Sequence, residues 1–191
     1  MILITVPHAG SDSGRDEGAR IFINHLERSL EAANLEYETL LGITSREVID
    51  LNRAEAYGTE YYSNFISELP RTDVHIDLHS FFPSQETTEH GYSLSDWGAG
   101  DIVLFDIPNV TDQSLLERFV DVFTEREVSY LLQPALFENF LTNVASALFD
   151  TPSVLIEINE EAGRDFDSVA DAVVEALAGY SVESVAFEPV A

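Results

Sequence analysis

Three groups of residues able to do chemistry lie far apart in this chain, and each sits in or at the end of a short apolar run. His8 follows Ile2–Val6 and Pro7. His75, Asp77 and His79 alternate with Val74, Ile76 and Leu78. Glu157 interrupts the run Val154-Leu155-Ile156-Glu157-Ile158. Strand side chains alternate between faces, so His75, Asp77 and His79 share one face and Val74, Ile76 and Leu78 the other. A central strand of a parallel sheet is buried on both faces. An unpaired polar group there costs about 2–7 kcal/mol, so this face needs partners. A metal, a bound ligand or a closed structural network would each supply them. Two His from separate strand ends plus an acid make a His₂-carboxylate set suited to zinc, with a fourth position open for water. Zinc lowers the pKa of that water towards about 7 and prepares it to attack a carbonyl. The reaction also needs a base for the water proton, a role that Glu157 fits. It needs a cation for an acidic substrate, and Arg53 can bind a carboxylate through its guanidinium fork. Asn52 beside it offers neutral hydrogen bonds.

The elements that must position these residues follow from periodicity. Apolar, β-branched runs predict strands at residues 2–6, 35–41, 73–80, 101–107, 128–132 and 152–158, with a final edge strand at 182–187. Helical spacing predicts helices at 19–33, 57–69, 112–126, 136–149 and 166–177, the second stopped by Pro70. Residues 82–100, rich in Gly, Ser, Thr and Pro without a period, read as a long functional loop containing His90, Tyr92 and Trp97. Alternating strands and helices argue for one α/β domain over 1–191, with a mostly parallel sheet. In such sheets ligands bind at the carboxyl ends of strands, which is where His8 and His79 fall.

Composition narrows the function classes. The 191 residues carry 35 acidic and 9 basic side chains, a net charge of −26. All nine cations are Arg; Lys and Cys are absent. With 45% hydrophobic residues, the chain is too apolar to be an acidic disordered segment. A charge of −26 argues against nucleic-acid or anionic-membrane partners. Without Cys there is no disulfide, Cys zinc site or thiol nucleophile. Acidity spread over a Lys-free chain points to a halophilic protein, in a high-salt cytoplasm or encoded by a virus of such a host, whose self-repulsion salt would screen. No targeting segment or membrane-spanning run is apparent.

Four segments occur in a telling order: Pro7-His8-Ala9-Gly10, then Ser45-Arg46-Glu47-Val48-Ile49-Asp50-Leu51-Asn52-Arg53, then Ile76-Asp77-Leu78-His79-Ser80, then Ile156-Glu157. Together they resemble the N-formylglutamate amidohydrolase family, which belongs with the zinc carboxypeptidases and aspartoacylases. The resemblance implies a three-layer α/β/α domain with a mixed, mostly parallel sheet, zinc-carboxypeptidase-like. It implies zinc ligation by His8 and His79, substrate binding through Asn52 and Arg53, and a catalytic Glu157. The carboxypeptidase pattern His-x-x-Glu fails here, because position 11 is Ser. Asp12, the nearest acid to His8, is the expected third ligand; Asp16 and Glu17 are its rivals.

These readings converge on a zinc-dependent hydrolase of an amide bond next to a carboxylate, acting on a small acidic N-acyl amino acid such as N-formylglutamate. One alternative is carboxypeptidase-like or endopeptidase-like processing of peptide C-termini; another is a non-catalytic binding or structural relative. Asp77 is expected to orient a histidine rather than bind metal, and His75 to be structural. Asn139 and Asn143, four apart on a helix, read as an exposed face. Oligomeric state leaves no mark in the sequence.

Overall fold

The computed structural model describes residues 1–10, 16–83, 100–134, 139–161 and 164–180. The expected strand at 182–187 and most of the 82–100 loop, with His90, Tyr92 and Trp97, lie outside the described residues.

The strands are β1 (Ile2–Val6), β2 (Tyr37–Leu41), β3 (Val74–Phe81), β4 (Ile102–Asp106), β5 (Tyr130–Pro134) and β6 (Ser153–Asn159). The helices are α1 (Glu17–Ala32), α2 (Glu60–Glu68), α3 (Gln113–Glu125), α4 (Phe140–Phe149) and α5 (Phe166–Gly179). The strands form a six-stranded sheet in the order β2-β1-β3-β6-β4-β5. All neighbours are parallel except β4 and β6, which run antiparallel. The sheet is therefore mixed and mostly parallel, as expected. Its β4–β5 pair runs against the rest, so the start of β4 lies beside the end of β6.

Strand alternation separates two kinds of face. Ile4, Ile76, Leu78, Val154 and Ile156 point to one side and pack on the apolar stripes of α1, α3 and α5. The α1 stripe is Ala19, Phe22, Ile23, Leu26 and Leu30, spaced for a single helix face. Burying each large side chain of that stripe stabilises the fold by about 1.5–3 kcal/mol. On the opposite side Leu3 packs with Phe65 of α2 and Leu141 of α4. The polar residues Thr5, His75, Asp77, His79 and Glu157 project on this second side, in register across β1, β3 and β6.

Helix α2 begins at Glu60 rather than at Tyr57, because Thr59 caps it by accepting from Tyr62 N at 3.1 Å. A 3₁₀ turn over Leu69–Arg71 then carries Pro70. Asp112, Asn139 and Asp165 cap α3, α4 and α5 in the same way. Asp16, the residue before α1, makes no such bond.

Candidate metal centre

His8 and His79 meet. His8 lies in the turn after β1, and that turn needs Gly42: a Cβ there would stand 2.0 Å from the Pro7 carbonyl oxygen. His79 extends from the end of β3. Gly18 lets the start of α1 approach, since a Cβ at that position would come within 2.5 Å of Glu160 Cγ and 3.1 Å of Ser80 Cβ. That approach delivers Asp16. Its backbone N–H donates to the His8 carbonyl at 2.9 Å, locking the helix start to the turn. Asp16 Oδ2 then lies 3.3 Å from His8 Nδ1 and 2.9 Å from His79 Nδ1. The Asp16 carboxylate makes no helix cap because it faces two imidazoles instead.

His8, Asp16 and His79 each offer a ligand atom within 4.8 Å of the others, and they are only 4%, 8% and 7% exposed. Donors sharing a tetrahedral zinc at about 2.0–2.2 Å stand about 3.4 Å apart. The two Nδ1–Oδ2 distances are close to that spacing, and all three ligand atoms lie within 4.8 Å of one another, as a shared cation requires. The remaining ring nitrogens are also engaged: His8 Nε2 with Asp50 Oδ1 at 2.9 Å, His79 Nε2 with Asp77 Oδ2 at 3.0 Å. A carboxylate behind each histidine is the arrangement that fixes the tautomer and ring orientation of metal ligands. The residues present thus fit a divalent cation such as zinc. Glu17, an alternative third ligand, turns to Arg20 at 3.1 Å; Asp12 lies outside the described residues.

Electrostatics agree with this geometry. Burial opposes protonation of His8, but hydrogen bonds to Asp16 and Asp50 outweigh it and raise its pKa. Burial opposes the charge on His79 too, yet Asp77 and Asp16 hold its pKa well above the usual value. Burial pushes Asp16 up, and the two histidines bring it down to about 2. Asp50 is lowered in the same manner, against burial, by His8, the Asn52 N–H and Arg46. Without a cation, the two rings hold protons that a cation would replace.

Glu157 faces His79 across the β3–β6 pair. Its Oε2 is buried with no hydrogen-bond partner among the described residues. Burial drives its pKa up to about 8, only partly countered by His79 and His8. A carboxyl held neutral by burial beside His79, His8 and Asp16 is placed to exchange a proton.

Arg53 and Arg46 converge on Asp50: Arg53 Nε lies 3.6 Å and Arg46 Nε 3.1 Å from Oδ2. Each Arg side chain is 35% exposed at the rim. Asn52, expected to bind substrate, lies 2.9 Å from His79 Nε2 through its Nδ2. It is buried, its Nδ2 donates to Asp77 Oδ2 at 3.1 Å, and its Oδ1 accepts from Leu141 N at 3.2 Å. Asn52 lies in a turn that the Arg53 N–H closes by donating to the Asp50 carbonyl at 3.2 Å, and this turn leaves the amide inside and the guanidinium at the rim.

Asn139 also corrects the sequence reading. It is 3% exposed and not on an exposed face, and its Nδ2 donates to Asp77 Oδ2 at 2.8 Å. The spacing Asn139-x-x-Thr142 signals its capping role, since Oδ1 accepts from Thr142 N at 3.0 Å. Nothing local signals its contact with Asp77.

No protein-family model and no curated protein matches the chain. Its fold is similar to several solved structures at low identity. A metallo-carboxypeptidase from Burkholderia cenocepacia aligns with a TM-score of 0.60 at 14% identity, over 92% of this chain and 55% of that one. An N-formylglutamate amidohydrolase from Ralstonia eutropha JMP134 aligns with a TM-score of 0.56 at 12% identity, over 92% and 90%. A TET aminopeptidase from a marine sediment archaeon, Thaumarchaeota archaeon SCGC AB-539-E09, aligns with a TM-score of 0.56 at 16% identity, over 86% and 47%. The chain thus spans about half the length of the two peptidases. The fold is of the zinc-carboxypeptidase-like α/β type. No described helix is long and apolar enough to cross a membrane.

Proposed function

We propose that this chain is a zinc-dependent hydrolase that cleaves an amide bond next to a carboxylate, in a small N-acyl amino acid such as N-formylglutamate. The observation that carries the reading is the meeting of His8, Asp16 and His79 beside Glu157, whose buried Oε2 has no hydrogen-bond partner among the described residues. The even coverage of the amidohydrolase, 90% of that chain against 55% of the carboxypeptidase, supports the small-substrate version over peptide processing.

The three side chains would hold zinc, which when bound supplies Lewis-acid polarisation of the amide carbonyl and a more acidic water. Asp50 and Asp77 hold the Nε2 side of each imidazole, so both Nδ1 atoms face Asp16, where they would be free to hold the cation. Glu157 Oε2 accepts the proton of the attacking water and passes it to the leaving amine nitrogen. Arg53 at the rim binds the substrate carboxylate, and Asn52 serves by holding Asp77 rather than by touching substrate.

Hydrolysis of N-formyl- and other N-acyl amino acids by the zinc-loaded protein tests this reading. His79→Ala should lose both zinc and activity. Glu157→Gln should keep zinc and lose turnover, and Arg53→Ala should raise KM far more than it lowers kcat. Parental rates in both His79→Ala and Glu157→Gln would refute the mechanism.

A further inference from the structure

Behind the metal-ligand cluster, four fully buried polar side chains stand in line on the face of the sheet that carries His79. Ser153 Oγ is 2.7 Å from His75 Nδ1, His75 Nε2 is 2.9 Å from Thr5 Oγ1, and Thr5 Oγ1 is 2.6 Å from Asp77 Oδ1. The line crosses β6, β3 and β1, and each member is 0% exposed. The other Asp77 oxygen, Oδ2, takes His79 Nε2, Asn52 Nδ2 and Asn139 Nδ2.

Donor arithmetic gives the line one direction. The amides of Asn52 and Asn139 both donate to Asp77 Oδ2, and Asn52 Nδ2 also lies 2.9 Å from His79 Nε2, so Asp77 is an acceptor-only carboxylate and the one acceptor there for a hydrogen on His79 Nε2. The single hydroxyl hydrogen of Thr5 therefore goes to Asp77 Oδ1; its other acceptor, the Ile76 carbonyl, is distant at 3.4 Å. The Thr5 oxygen must then accept from His75, which places the His75 hydrogen on Nε2. His75 Nδ1 is left bare and accepts from the Ser153 hydroxyl. Burial favours this neutral ring, bringing the His75 pKa down to about 4 although Asp77 opposes the shift. Phe65 packs on the ring, tilted at 56° with 5.3 Å between centroids. The Tyr61 hydroxyl, buried close to Thr5 and Asp77, makes no hydrogen bond among the described residues and so does not compete for the Thr5 hydrogen.

We infer that Ser153, His75 and Thr5 form a directional hydrogen-bond chain whose task is to fix Asp77 and, through it, the orientation and Nε2–H tautomer of His79. Thr5 is thus a positioning residue for a metal ligand although it touches neither metal nor substrate. Its part in metal binding rests on the function proposed above; its part in orienting His79 does not.

Two substitutions separate this role from packing. Thr5→Val keeps the shape and removes the hydroxyl, whereas Thr5→Ser keeps the hydroxyl and removes a methyl. In metal-free protein, Thr5→Val should move the ¹⁵N and Nε2–H resonances of His79, and Thr5→Ser should leave them near their wild-type positions. Zinc affinity, read by chelator competition, should fall by about 10–100-fold in Thr5→Val, the range for lost support behind a ligand. Thr5→Ser should restore it. Wild-type protein alone also tests the direction: its ¹⁵N shifts should show His75 as the Nε2–H tautomer, whether or not Thr5→Val folds. His75 protonated at Nδ1, or a folded Thr5→Val with unmoved His79 resonances, would overturn the inference. Wild-type protein that takes up no zinc but shows the expected His75 and His79 signals would refute the proposed function and leave the chain standing.

Discussion

Replacing Glu157 by Gln in metal-free protein removes a carboxyl whose ionisation the fold resists. Burial raises its pKa from 4.5 to about 8. At about 1.4 kcal/mol per pH unit, that difference corresponds to an upper bound of about 5 kcal/mol, which water reaching a partly exposed residue reduces. Below pH 4.5 the carboxyl is neutral in folded and unfolded chains alike. Between 4.5 and about 8 the unfolded chain has lost the proton that the folded chain keeps, so folding stability falls as pH rises. Above about 8 both are ionised and the loss is complete. Gln carries no such slope. Urea unfolding of both proteins with a chelator present should therefore show the variant gaining about 2–3 kcal/mol over the parent from pH 6 to pH 8. Saturating zinc should shrink that gain, because a cation beside Glu157 favours its carboxylate. Parallel stability curves without metal, or a parent that gains on the variant as pH rises, would refute the account of Glu157.

Other outcomes can be measured independently. Asp16→Asn should weaken zinc binding by at least about 100-fold, beyond the usual effect of losing a group behind a ligand, whereas Asp12→Asn should bind zinc like the parent; the reverse result would make Asp12 the ligand. Zinc binding at pH 7 should release at least one proton per ion, since His8 and His79 both have raised pKa values in the metal-free state. Calorimetry in buffers of differing ionisation enthalpy reads that number, and an affinity that does not climb with pH would contradict it. Self-repulsion in a chain of net charge −26 should make thermal stability rise steeply between about 0.1 M and about 1 M salt. A flat salt response would exclude screening as a stabiliser.

Much of this arrangement was legible in the sequence because strand alternation is short-range. Val74–Ser80 announces a polar face on a buried strand, and Glu157 stands out in an apolar run for the same reason. Each of the six described strands overlaps a predicted one, since β-branched runs bounded by turn residues carry their own signal. Orientation did not show: β4 runs antiparallel to β6 because of the long-range route of the chain, and no residue of β4 encodes it. Closeness in sequence favoured Asp12 over Asp16 and Glu17 as the acid beside His8, because spacing alone does not show which of them turns inward. Only the close approach of α1 to β3 at Gly18 turns Asp16 towards the histidines. Asn52 and Asn139 are separated from Asp77 by 25 and 62 positions, so their shared target is a property of tertiary packing.

X-ray absorption at the zinc edge of the purified, metal-loaded protein addresses the central claim most directly. The account predicts one tightly held zinc with two imidazole nitrogens and a carboxylate oxygen at about 2.0–2.2 Å, and loss of that signal in His8→Ala, Asp16→Asn and His79→Ala alike. A protein that takes up no zinc, or whose zinc coordination survives removal of either histidine, would contradict it.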